Sequence, residues 1–134
     1  MKIILTTGLV FFGLFLSHCS FGQTQSELNQ DAYNDYLRAD KQLNSVYTAV
    51  LKKYKSDQEF IKNLREAQRL WIQFRDAEML AKYPERPAGE YGSIQPMCWY
   101  IYLQELTQER TAKLKTWLNG SEEGDVCAGS VEVN

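Results

Sequence analysis

Histidine is almost absent from this 134-residue chain: the single one, His18, lies in the N-terminal segment. That segment reads as a leader to be removed, which leaves the mature protein without an imidazole. The absence excludes a histidine general base, a His–Ser or His–Cys nucleophile pair, and a histidine metal ligand. Cysteine is scarce too. Of Cys19, Cys98 and Cys127 only the last two survive processing, so the usual zinc sites are excluded. There is no basic excess: 15 basic residues face 17 acidic ones, and the formal charge is −2. That removes the electrostatic footprint of a nucleic-acid binder. Proline occurs only at positions 84, 87 and 96. The longest apolar run, Ile3 to Leu16, is about 14 residues, short of the ~20 that a membrane span needs.

What is present begins with a targeting segment, residues 1–22. Lys2 supplies a one-charge start, and the run from Ile3 follows it. Ser20-Phe21-Gly22 offers small residues at the right offsets for cleavage before Gln23. Leu16-Ser17-His18-Cys19 resembles a lipoprotein box, but His18 sits where a small residue is wanted. Soluble export is therefore preferred to anchoring through Cys19. Either route ends in an oxidising compartment, and loss of Lys2 takes the formal charge from −2 to −3. The remainder supports one domain, with 44% hydrophobic and 13% aromatic residues to build its core.

Three helices follow. Thr24 and Glu27 have capping-box spacing, and an uninterrupted three-and-four pattern from Leu28 to Tyr54 predicts a helix over 25–55. Ser56 and Glu59 repeat the spacing before a second helix, Asp57 to Lys82, which Pro84 terminates. Ser93 can cap a third, with Pro96 in its first turn and Gly120 as its stop. The expected fold is all-α: an antiparallel three-helix bundle over residues 23–118, with an irregular acidic tail at 119–134. In the second helix Leu64, Ala67, Gln68, Trp71, Phe74, Arg75 and Glu78 share one side. A buried face carries an amide, a guanidinium and a carboxylate only if neighbours satisfy them. This helix is therefore expected in the middle of the bundle. Asp40 and Asn44 on the first helix, and Thr107 and Arg110 on the third, are the candidate partners. The expectation is one interhelical network in which Arg75 and Arg110 meet Asp40 and Glu78, with Gln68 among its members.

The one sizeable connection, Tyr83 to Ser93, is stiffened by Pro84 and Pro87 and exposes Glu85, Arg86, Glu90 and Tyr91. It is long for a helix connector, which makes it the candidate partner-binding loop. Glu105 and Glu109 lie one turn apart and could suggest carboxylate catalysis. Lys113 stands four residues on, which is the spacing of a solvated ion-paired face, and no catalytic residue or cofactor is assigned. An even count of mature cysteines in an oxidising space predicts a disulfide between Cys98 and Cys127, with the tail running back along the third helix.

Ala39-Asp40-Lys41-Gln42-Leu43-Asn44-Ser45-Val46-Tyr47 forms one recognisable block. Leu64 to Trp71 with Phe74-Arg75-Asp76-Ala77-Glu78 forms a second. Gly92-Ser93 and Leu106 to Leu114 close the series. In order and spacing these resemble the lysozyme inhibitor LprI-like N-terminal domain family of exported bacterial proteins, over roughly Thr24 to Leu118. The resemblance implies a small exported helical domain that inhibits lysozyme by protein–protein contact. The alternative is an envelope scaffold or adaptor that binds another protein or peptidoglycan without blocking an enzyme. Where many relatives carry cysteine, this chain has Asp31, Met79 and Tyr102, so the usual disulfide arrangement cannot form.

Overall fold

The computed structural model describes residues 23–134; the expected leader, residues 1–22 with Cys19, lies outside the described residues. Three helices make up the domain: α1 (Gln25–Lys53), α2 (Gln58–Lys82) and α3 (Gln95–Asn119). The fold is all-α, as the periodicity predicts.

Each boundary has a local cause. Thr24 opens α1 with a complete capping box. Its hydroxyl accepts from Glu27 N, and Glu27 Oε2 accepts from Thr24 N at 2.7 Å. At α2 the cap is Asp57, not Ser56; its carboxylate accepts from Phe60 N at 2.9 Å. Ser93 does not cap α3. Ile94 holds that position without a side-chain bond, and Pro96 in the first turn removes one donor that would need a cap. Gly120 ends α3 at φ +78°, where a Cβ would fall 2.0 Å from Asn134 Oδ1.

Interhelical bonds set the directions. Asn29 reaches the carbonyl of Ser93, and Lys53 and Tyr54 reach that of Trp117. The first two pairs are 64 residues apart, so α1 and α3 run parallel. Gln68 meets Arg110 and Glu78 meets Tyr102, so α2 runs antiparallel to α3. That register sets Leu43 opposite Thr107 and Val50 opposite Leu114. The α1–α3 pair is the close one: their backbones approach within 8 Å along much of their length, whereas α2 comes that near α3 only sparsely. Ala32 and Ala39 on α1, and Thr107 and Thr111 on α3, are buried and small. Both threonine hydroxyls donate to carbonyls one turn back, at 2.7 and 2.8 Å, so neither is left unpaired at the seam.

The sequence order therefore misleads about the centre. Helix α2 lies between its neighbours along the chain but not at the heart of the packing. Of its expected inward face, Leu64 and Gln68 are buried, whereas Trp71, Arg75 and Glu78 are only half-buried and Ala67 and Phe74 are exposed. Its long side chains hold its axis away, while small residues let α1 and α3 close. The main core sits where all three helices meet, around Leu43, Val46, Val50, Tyr54, Ile61, Leu64 and Leu114.

The tail is irregular but pinned. Tyr54 Oη donates to Trp117 O and accepts from Glu132 N. Trp117 Nε1 donates to Ser130, Ser121 pairs with Glu132 and Asn134, and Lys53 Nζ lies 3.4 Å from Glu132. The tail folds under the C-terminal ends of α1 and α3 instead of running back along α3. This corrects the expected disulfide. Cys98 and Cys127 are free thiols, one near the start of α3 and one exposed in the tail. The intervening helix is about 30 Å long.

Candidate functional site

The expected polar network divides into separate pairs. Arg75 turns to the next residue, with Nη2 2.8 Å from Asp76 Oδ1, and its guanidinium lies 5.4 Å from the Trp71 ring centroid. Asp40 accepts from Asn44 one turn on at 3.0 Å. Glu78 accepts from Tyr102 Oη at 2.9 Å, and Arg110 Nε donates to Gln68 Oε1 at 2.9 Å. Neither Arg75 nor Arg110 pairs with Asp40 or Glu78. Partners on the same helix need less ordering than partners on another, which explains why Arg75 and Asp40 settle locally. Two of the four links do cross from α2 to α3, so these helices are tied by polar contacts in place of close backbone packing.

The α2–α3 seam is left open as a groove. One part, about 420 Å³, is lined by Phe60, Leu64, Ala67, Trp117 and Arg110, with Asp57, Glu59, Asn63 and Ser130 also bordering it. The next, about 640 Å³, is lined by Trp71, Phe74, Leu106, Arg110 and Thr116, with Glu109, Ala112 and Lys113. Arg110 borders both. Burial pushes its pKa down, while nearby Tyr47 opposes the shift. Phe74 is 57% exposed at this groove.

The loop between α2 and α3 is the second surface. Tyr91 Oη donates to Pro84 O at 2.9 Å, and Tyr83 packs edge-on against Tyr91 and beside Trp99. Turn bonds close Glu90 on Pro87 and Gly92 on Gly89, with both glycines at positive φ. The loop is thus braced, and Tyr91 is a brace as well as an exposed residue. Glu85, Arg86 and Glu90 face outward, with Arg86 Nε 3.7 Å from Glu90 Oε1.

A family model described as lysozyme inhibitor LprI matches residues 18–114. The chain belongs to the lysozyme inhibitor LprI family. It is also 34% identical over 116 residues to an uncharacterised protein of Rhizobium meliloti (strain 1021), covering 78% of this chain and 81% of that one. No solved structure matches it.

The blocks that resemble the LprI family now acquire physical roles. In the first, Ala39, Leu43 and Val46 build the close seam. In the second, Gln68 supports Arg110, and Trp71 and Phe74 wall the groove. In the last, Thr107, Thr111 and Leu114 are buried, while Arg110 stands in the open seam. Met79 is buried, and Tyr102 bonds Glu78, so packing and a hydrogen bond join α2 and α3 here. Helical spacing had marked the Phe74 side and Arg110. Nothing in it showed that the seam between them stays open.

Proposed function

We propose that the protein is exported, with residues 1–22 as its leader, and works by contact with a lysozyme or a similar protein of the cell envelope. Membership of the LprI family is the observation that carries this reading. The charge balance supports it: a chain of formal charge −2 is attracted to a basic partner. The braced loop Tyr83–Ser93 presents Glu85 and Glu90 to solvent, where they can meet a basic partner. Its internal bonds mean that little order must be gained on binding. Among the described residues no helix is long and apolar enough to cross a membrane. In this reading the role is binding: Glu105 and Glu109 are exposed on α3, as on a solvated helix face.

The test is a cell-wall lysis assay with several lysozyme types and purified protein. Inhibition is expected, weakened on the order of tenfold by joint Glu85→Lys and Glu90→Lys substitution. Full lysozyme activity across the panel would overturn the reading. The open α2–α3 groove favours the second reading, an adaptor that binds another envelope protein without affecting lysis.

A further inference from the structure

Arg110 makes one bond to a side chain, through Nε to Gln68, and no carboxylate lies within 4 Å of it among the described residues. A guanidinium fork presents two further nitrogens suited to bidentate pairing with a carboxylate. Partial removal from water makes such a partner worth more, because an unmatched desolvated charge is costly. On one side of it the groove is walled by Phe60 and Trp117, on the other by Trp71 and Phe74. The two parts centre about ten residues apart along α2, or about 15 Å.

The acids at the rim do not fill this role. Asp57 accepts from Phe60 N, Glu59 accepts from Asn63, and Glu109 forms no ion pair with Arg110. The arginine is recessed, so it cannot be pushed into another protein's cleft. The partner must bring the protruding element. A seam between two antiparallel helices is the place where a further helix completes a four-helix arrangement.

We propose that the α2–α3 groove is a docking site for an amphipathic helix of a partner protein. An acidic residue in the middle of that helix's apolar face pairs with Arg110. Apolar side chains a turn or two on either side fill the Phe60–Trp117 and Trp71–Phe74 ends. Basic residues on its flanks meet Asp57, Glu59 and Glu109. This inference is independent of lysozyme inhibition and stands if the lysis assay is negative.

The probe is a fluorescent amphipathic peptide of about 18 residues, built from Ala, Leu and Lys, with one Glu at the centre of its apolar face. A counterpart carries Gln there. Anisotropy titration of the purified protein should show the Glu peptide binding about tenfold tighter than the Gln peptide. Arg110→Gln should abolish that difference. Phe74→Ser, at an exposed site that folding does not need, should weaken both peptides, and it keeps the test open if Arg110→Gln does not fold. Equal binding of the two peptides, or no saturable binding into the millimolar range, would overturn the proposal. So would sedimentation showing a dimer that Phe74→Ser dissociates, because a second copy would then cover the groove.

Discussion

The two seams of this bundle are built on opposite plans. Between α1 and α3, alanines and threonines let parallel helices approach closely, and the hydroxyls are satisfied within their own helix. Between α2 and α3, Gln68 and Arg110 bond across the seam, and Trp71 and Phe74 wall a groove with an arginine beside it. The closed seam spends its surface on stability. The open seam keeps aromatic and charged surface accessible, which makes it the part of the molecule available for recognition.

Substitutions can break or sharpen this contrast. The largest effect is expected from Leu114→Ala, which empties a fully buried position where the three helices meet. The cost should be about 3 kcal/mol, read as a fall of about 15 °C in Tm. Thr107→Leu should cost about 1–3 kcal/mol by overpacking the close seam, although it adds apolar surface. A melt unchanged by that larger side chain would mean the seam is not tight. Tyr54→Phe removes the hydroxyl that donates to Trp117 O on α3 and accepts from Glu132 N in the tail. A loss of about 1–2 kcal/mol is expected, together with loss of amide protection in residues 121–134. Phe74→Ser, on the open seam, should change stability by no more than about 0.5 kcal/mol. A large destabilisation there would erase the distinction between the two seams.

The smallest effect concerns the capping box. The Thr24 backbone N–H, and then its hydroxyl, hold the Glu27 carboxylate below its ordinary range. The folded pKa is depressed, so the contribution is present above the unfolded pKa and lost as pH falls through the folded one. Amide exchange in the first turn of α1 should accelerate on acidification, and Glu27→Gln should flatten that dependence.

How much of this was legible in the sequence differs by element. Thr24 with Glu27, and Gly120, mark helix ends because caps are local chemistry. The fold class followed from three long periodic stretches with few breakers. The Cys98–Cys127 bond was misjudged because counting thiols does not say where a tail is pinned, and the pin is Tyr54, far away in sequence. Arg75, Arg110 and Gln68 were singled out, yet which of them would pair was not, because a helical wheel gives a side chain's direction and not its reach.

Periodicity, capping and composition alone determined three helices, their approximate ends, and a described domain without histidine. They act through neighbours a few residues apart, so they can be read in order along the chain. Tertiary structure decided which pair of helices closes, where the tail is tied, and that Arg110 borders an open groove. Those outcomes depend on how side-chain volumes from distant segments fit together, and no single stretch contains that information.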